Sequence, residues 1–501
     1  MTQKNFVSFW EKIMNKQKLK KICLSVFSVI MVALIITGIV YLSTLGDSSK
    51  IKVADKSSPT ATSNQPFVKG VSGDSENFRI PAIITLDSGR LVAAADARYD
   101  STSDGGGLDT VVAYSDDNGK TWQSYTANFL GDNGNKFHKK STSFIDPELL
   151  TDGKNIWMMT TFYSGGVALS TYTGLKPAVD KSAFDNDGML LLSKNYGLSY
   201  KYKVDVESFE NGYSRILKNT GEDTGYKIDE FFFLYDKNNN KIGNIFYVKT
   251  RSVFSVVPTT FLYMTKSVDG GETFGAPKLI NAKKADEPFY GVGPGRGVVT
   301  SDGTMIMSAY FANIKKGLQF SSFIYSDDCG NTWQRSESLP SNEQCEYSGE
   351  SQIVELPNGN LRCFFRNNSN RLCYIDAAKE NGKYIWSDIV ISDVEITSSC
   401  MLSVIDVNND GKNYILVSCP TGTETTDKGE TKHVRADGKI FVFSLDDECN
   451  MTLKNTTSVK KDAFMYSCMS LTKDGNVAIT YESEVGEITF AIYQIDSLIG
   501  Q

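Results

Sequence analysis

The stretch SDDNGKTW occupies residues 115–122, and its frame returns as SVDGGETF at 267–274 and SDDCGNTW at 326–333. The shared pattern is S-x-D-x-G-x-T followed by Trp or Phe, and each copy follows an apolar run: VVAY, FLYMTK and SSFIY. Local chemistry reads the frame as a β-hairpin turn. Asp and Asn side chains bond to nearby backbone, Gly takes a positive φ, and the aromatic packs back under the turn. A weaker copy is expected at DAAKENGKYIW, 376–386. Between the copies, short runs rich in Val, Ile, Phe and Tyr alternate with turn signals such as DSGR, TDGK, SDGT, PNGN, NNDG and KDGN. Helix-period segments are scarce. Many short strands with a repeated hairpin motif predict an all-β propeller, in which the repeats are structural. Residues 188–250 carry KYKVDVESFENGYSRI and FFFLYDKNNNKIGNIFYV without the repeat, which predicts an inserted small β-rich subdomain.

Composition narrows the function. The chain has 501 residues, 41% apolar and 22% charged, enough for a sizeable core. It holds only two histidines, His138 and His433, which argues against a His-rich metal site and a histidine-dependent hydrolase triad. The net charge of −7 is uneven. Residues 1–21 hold six lysines against Glu11, so the remaining 480 residues carry 46 basic and 58 acidic side chains. An acidic body argues against nucleic acid as a partner. Of nine cysteines, Cys23 lies near the N-terminus and eight lie between Cys329 and Cys468, with no C-x-x-C pair. Zinc is not expected from that spacing, and most of the eight are expected to be buried free thiols.

From Ile22 to Gly46 run 25 residues without a charge. About 20 apolar residues span a bilayer as a helix, so 22–46 is expected to be a transmembrane signal anchor. The preceding lysines put residues 1–21 in the cytoplasm as a basic tail. The competing reading is a cleaved signal peptide and a secreted body. Either way the body lies outside the cytoplasm. Residues 47–66, DSSKIKVADKSSPTATSNQP, read as a flexible linker to a body at 67–501.

The three repeats resemble the Asp boxes of bacterial exo-α-sialidases (neuraminidases), and the resemblance covers roughly 68–499. F-R-I-P at 78–81 is similar to the signature ahead of the first Asp box and supplies Arg79. D-A-R supplies Arg98, nineteen residues on, and Asp104 follows six later. Y-S-G-E-S-Q-I-V-E-L-P-N-G-N-L-R-C-F-F-R supplies Glu350 and Arg366 sixteen apart, K-H-V-R-A-D-G-K-I supplies Arg435, and D-A-F-M-Y-S-C-M-S-L supplies Tyr466. The resemblance implies a six-bladed propeller. It implies Arg79, Arg366 and Arg435 as the arginine triad, Asp104 as general acid/base, Tyr466 as nucleophile and Glu350 as its base. Arg98, and Asp146 in F-I-D-P, resemble residues contacting ring hydroxyls. GVGPGRG (291–297) is also similar to the family, and its Arg296 falls outside the triad pattern.

The implied substrate explains the residue types. Sialic acid bears a carboxylate on its anomeric carbon, and arginines meet it with charge-assisted, partly bidentate bonds. A carboxylate nucleophile ~4 Å from that group would be repelled by ~4 kcal/mol at an effective dielectric of 20. A neutral tyrosine avoids this, provided a base takes its proton. Asp104 would protonate the leaving oxygen, which calls for a raised pKa through partial burial. The expected activity is retaining hydrolysis of terminal α-linked sialic acid on glycoproteins, gangliosides or oligosaccharides, through a sialyl-tyrosine, by a monomer whose chemistry requires no cofactor and no metal at the site, with a structural calcium ion left open. Three rivals are weighed: an enzyme that makes an anhydro product or transfers to another sugar, a sialic-acid-binding adhesin without turnover, and a structural propeller with Asp boxes only, which makes the arginine spacings a coincidence.

Overall fold

The structure, a computed structural model, describes residues 58–99, 101–131, 141–168, 182–313 and 318–500. The tail expected at 1–21, the anchor at 22–46, the linker residues 47–57 and His138 lie outside the described residues. Among the described residues no helix is long and apolar enough to cross a membrane.

Strands dominate, and Ile495–Ile499 is the α-helix among the described residues. The strands follow one another as antiparallel meanders. The first comprises Asn77–Thr85, Leu91–Arg98, Leu108–Ser115 and Thr121–Asn128. The second comprises Ser143–Thr151, Ile156–Tyr163, Thr260–Ser267 and Lys278–Ile280. A single parallel pair, Leu108 with Ser143, joins these two. Further sheets are built on Met305–Asn313 and Leu318–Ser326, on Ser351–Glu355 to Lys383–Trp386, on Ser403–Asn409 to Met451–Ala463, and on Ser467–Leu471 to Glu487–Tyr493.

Alternation puts one set of side chains from each strand toward each neighbouring sheet, so an apolar core forms between consecutive sheets. Leu150 and Met159 pack with Val292, Met307 and Ile324. Ile306 and Phe323 pack with Ile353, Phe365 and Ile375. Val354 and Phe364 pack with Val404, Val417 and Phe443. Ile405 and Leu416 pack with Met469 and Ile479. The series closes on itself, because Cys468, Ala478 and Ile488 pack with Phe78, Ile83 and Ala93 of the first meander. Each fully buried Val, Leu, Ile or Phe contributes roughly 1.5–3 kcal/mol. This cyclic order is a propeller-like arrangement of an all-β chain.

The repeats are hairpin turns held by one repeated bond set. Ser115 Oγ donates to Asp117 Oδ1 (2.8 Å) and accepts from Gly119 N (2.9 Å). Asp117 in turn accepts from Thr121 N (2.9 Å) and Thr121 Oγ1 (2.6 Å). The same bonds link Ser267, Asp269, Gly271 and Thr273, and again Ser326, Asp328, Gly330 and Thr332. The Thr bonds hold the Asp117 and Asp328 carboxyls down at about 2. The weak copy at 376–386 lacks this network: Asn381 and Gly382, both at positive φ, make a tight turn between Arg371–Glu380 and Lys383–Trp386.

Two stretches depart from the sequence reading. The linker expected to be flexible through residue 66 is paired at its end, where Thr60–Ser63 adds to the edge strand Thr121–Asn128. The cause is an open strand edge meeting a Thr-rich segment, pinned by Phe490 N donating to Gln65 Oε1 at 2.7 Å. The stretch without repeats forms a seven-stranded sheet from Leu190 to Val256, six residues past the expected boundary at 250. Its last strand, Phe254–Val256, pairs with its first, Leu190–Lys194. The chain leaves the second meander after Ile156–Tyr163 and returns at Thr260–Ser267, which pairs with that same strand.

Candidate active site

The innermost strands carry two matching irregularities. In Asn77–Thr85 the pairing with Leu91–Arg98 skips from Arg79 to Ala82. In Ser143–Thr151 the pairing with Ile156–Tyr163 skips from Ile145 to Glu148. Each skip spans a residue followed by proline: Ile80-Pro81 and Asp146-Pro147. Proline has no N–H for the ladder, so pairing breaks there. Ile80 and Asp146 both stand at positive φ, 57° and 60°. Such backbone costs of order 1–3 kcal/mol and persists only where surroundings hold it.

Buried carboxylates do the holding. Glu482, fully buried, accepts Ile80 N at 2.8 Å and pairs with Arg79 Nε at 3.2 Å. Burial alone would lower the Arg79 pKa, but Glu482, and behind it Tyr466 and Asp104, hold it above the usual guanidinium range. Asp96, also fully buried, takes Arg98 through Nε (3.2 Å) and Nη2 (2.7 Å) on one oxygen. Its other oxygen accepts Asp146 N at 3.0 Å. Arg98 then directs Nη1 to Asp104 Oδ1 and to Thr102 O, both at 2.7 Å.

Asp104 lies in the Gly-rich loop after Arg98 with its side chain 58% exposed. Arg79 Nη1 reaches it at 3.4 Å. What burial it has pushes its carboxyl up, yet Arg98, Arg79 and Arg435 outweigh that and leave it below the ordinary carboxylate range. The expected raised pKa is therefore not found without substrate: three guanidinium groups favour the ionised form more than partial burial disfavours it.

Glu350 and Arg366 extend a hairpin beyond Ser351–Glu355 and Leu361–Phe365, where Arg366 N donates to Glu350 O at 2.8 Å. Pairing across that hairpin brings the side chains together, with Arg366 Nη1 2.9 Å from Glu350 Oε2. Tyr466, just before Ser467–Leu471, donates its hydroxyl to Glu350 Oε1 at 2.6 Å and accepts from Arg366 Nη1 at 3.2 Å. The Arg79 and Arg435 guanidiniums lie 5.6 and 5.3 Å from the Tyr466 ring centre. Arg435 Nη2 also donates to Ser399 O at 3.1 Å. Burial, then Glu350, push the Tyr466 hydroxyl well above its usual pKa, while Arg366 and Arg435 pull the other way. That upward shift favours the neutral phenol, whose hydroxyl donates to the Glu350 side chain.

Asp146 is buried, and its carboxyl is raised well above the ordinary range by burial and by the charges of Asp96, Glu350 and Asp104. The structure thus gathers all eight residues selected from the sequence: Arg79, Arg98, Asp104, Asp146, Glu350, Arg366, Arg435 and Tyr466. Arg296 stands apart, with Nη2 3.8 Å from Asp406. Sequence reading missed Asp96, Glu482 and Tyr347. Tyr347 donates to Gln319 Oε1 at 2.7 Å and feels the fields of Arg366, Glu350 and Arg435. Among the described residues no three His, Cys, Asp or Glu side chains converge as a metal site requires.

Comparison with known proteins agrees with this geometry. The BNR repeat-like domain family matches residues 239–479, which include the second and third Asp boxes and Glu350, Arg366, Arg435 and Tyr466. The anhydrosialidase of the leech Macrobdella decora is 28% identical over 502 aligned positions, covering 88% of this chain and 62% of the leech protein. Sialidase B of Streptococcus pneumoniae is 28% identical over 351 positions, covering 60% of this chain and 47% of that protein. The chain therefore spans about half to three-fifths of these relatives' length. The crystal structure of the intramolecular trans-sialidase from Ruminococcus gnavus, in complex with oseltamivir carboxylate, matches with a TM-score of 0.73 at 27% identity, covering 85% of this chain and 96% of that one. Repeats, cyclic sheet order, gathered side chains and relatives agree in supporting a bacterial-type sialidase family, whose Asp boxes correspond to the BNR repeat.

Proposed function

We propose that the chain cleaves terminal α-linked sialic acid from glycoconjugates with retention, through a covalent sialyl-tyrosine at Tyr466. The observation that carries this is the 2.6 Å bond from Tyr466 to Glu350, with Arg366 on the hydroxyl and Arg79 and Arg435 beside the ring. A sugar carboxylate between the three arginines sets its anomeric carbon against the phenol oxygen. Tyr466 attacks that carbon and its proton passes to Glu350, while Asp104 protonates the departing glycosidic oxygen. Asp104 must first gain that proton. The incoming carboxylate offsets the arginine field and the sugar covers the carboxyl, and both raise its pKa. In the second step Asp104 takes a proton from the acceptor, whose oxygen displaces Tyr466, and Glu350 returns the phenol proton. Arg98 and Asp146 are assigned to the sugar ring's substituents.

The acceptor separates two outcomes. Water gives free sialic acid. The substrate's own hydroxyl gives a 2,7-anhydro sugar, an outcome favoured by similarity to the leech anhydrosialidase and the Ruminococcus gnavus intramolecular trans-sialidase. In the same reading the body is a six-bladed, monomeric propeller outside the cytoplasm, held by residues 22–46 or released after their cleavage, with sialylated glycans as its partners.

NMR of the purified protein acting on a sialyl-lactose tests the reaction. Release first as the α-anomer supports retaining hydrolysis. A 2,7-anhydro product supports the same site with an internal acceptor. Binding without turnover refutes the enzyme and leaves the adhesin.

A further inference from the structure

The two pre-proline bulges use the same device. At the first, Glu482 holds the N–H of Ile80 (2.8 Å) and the guanidinium of Arg79 (3.2 Å). At the second, Asp96 holds the N–H of Asp146 (3.0 Å) and the guanidinium of Arg98 (2.7 Å). In each case a fully buried carboxylate fixes a positive-φ residue before proline and an arginine together. The second case differs because its positive-φ residue, Asp146, itself carries a functional side chain.

We infer that Asp96 is a positioning residue that sets the pose of Arg98 and Asp146 as one unit, and so controls recognition of the sialic-acid ring. This rests on the proposed function. Arg98 is fully buried and spends Nε and Nη2 on Asp96, which leaves Nη1 aimed at Thr102 O and Asp104. Asp146 owes its backbone turn to Asp96 Oδ1, and that turn decides where its carboxyl stands. Asp96 is acceptor-only when ionised, and both its partners are donors. The charged groups around it are Arg98 on its own strand, Arg79 on the paired strand, Asp104 on the loop and Asp146 on the next meander. Burial raises the Asp96 carboxyl pKa, against the pull of Arg98 and Arg79.

Asparagine at 96 keeps the shape but offers one acceptor and one NH2 group. That NH2 must face either the Arg98 guanidinium or the Asp146 N–H, two donors opposed, so one of the two partners loses its hold. The test compares an aryl sialoside with its 4-deoxy analogue, which lacks the one hydroxyl on the pyranose ring. Wild-type protein is measured first, and absence of turnover there defeats the proposed function rather than Asp96. With turnover in hand, D96N is expected to raise KM for the full substrate 10- to 100-fold, change kcat much less, and lose most of the preference over the 4-deoxy analogue. A merely structural role lowers activity on both substrates alike. D96E, which keeps the charge but moves it by one methylene, is measured beside it and is expected to give the same loss of preference. Wild-type KM and 4-hydroxyl preference in a folded variant overturn the inference. Failure of both variants to fold also overturns it, by making Asp96 a stability residue.

Discussion

Removing the Glu482 carboxylate should damage fold and site together, and the size follows from its contacts. Glu482 is fully buried, and Arg79 is 13% exposed. At 3.2 Å the pair is worth about 5 kcal/mol of Coulomb energy at an effective dielectric of 20, before desolvation is subtracted. Breaking a buried pair by deleting one partner costs about 3–5 kcal/mol, because the other charge stays buried and unpaired. An orphaned Ile80 N–H adds about 1–3 kcal/mol where the chain does not relax, and the strained φ at Ile80 loses its clamp. These terms overlap, so E482A is expected to lose about 3–5 kcal/mol. E482Q keeps an acceptor for Ile80 N and loses the charge, for about 1.5–3 kcal/mol. Denaturant unfolding followed by fluorescence measures both. Sialoside KM should rise in the same order, since Arg79 is left without an anchor. A cycle with R79M isolates the pair, and a coupling of about 2 kcal/mol or more is expected. E482A within about 1 kcal/mol of wild type, or an undiminished cost in the R79M background, would refute the reasoning.

Y466F should lose nearly all turnover while binding and melting temperature stay close to wild type, as calorimetry with a sialic-acid analogue and thermal denaturation would check. D104A should lose ~10²–10⁴-fold on natural glycosides and far less on aryl sialosides whose leaving group needs no proton. Because Asp104 is ionised without ligand and is expected to be protonated with it, binding should take up protons and tighten as pH falls. Calorimetry in buffers of different ionisation enthalpy reads this directly, and proton release would contradict it. G119A and G359A form a matched pair. Both glycines have φ near 80°, but a Cβ on Gly119 would lie 2.1 Å from the Phe490 ring and one on Gly359 meets nothing within 4 Å. G359A should cost about 1–2 kcal/mol for the left-handed backbone, and G119A about 1–3 kcal/mol more in unfolding measurements.

Legibility in the sequence followed the range of the interactions. The Asp boxes were readable because Ser115, Asp117, Gly119, Thr121 and Trp122 bond to one another within eight residues, so the turn is written in one window. The weak copy at 376–386 misled because its Asn381-Gly382 pair makes a tight hairpin without Ser and Thr partners. The end of the linker misled for the opposite reason. Nothing in TATS announces a strand until the open edge of Thr121–Asn128 is beside it.

The site residues selected from the sequence came from resemblance, whereas their supports came only from the fold. Glu482 and Ile80 are 402 positions apart, and Asp96 and Asp146 are fifty apart. A β-branched residue before proline, as at Ile80, reads as ordinary extended backbone in sequence. It becomes a positive-φ bulge because a carboxylate from the last meander captures its N–H and closes the ring of sheets at that point. The Arg79 side of the site is therefore built at the seam where the first and last meanders meet. A change that loosens this closure should disturb Arg79 before it disturbs the Glu350–Tyr466 pair. That pair joins the sheet that begins at Ser351–Glu355 to the one that begins at Ser467–Leu471 through the Glu350 side chain, whereas Arg79 depends on contact between the last meander and the first. Substrate affinity is expected to fail under mild denaturant before the protein unfolds, since Arg79 and its partner Glu482 lie at the seam and Glu350 does not.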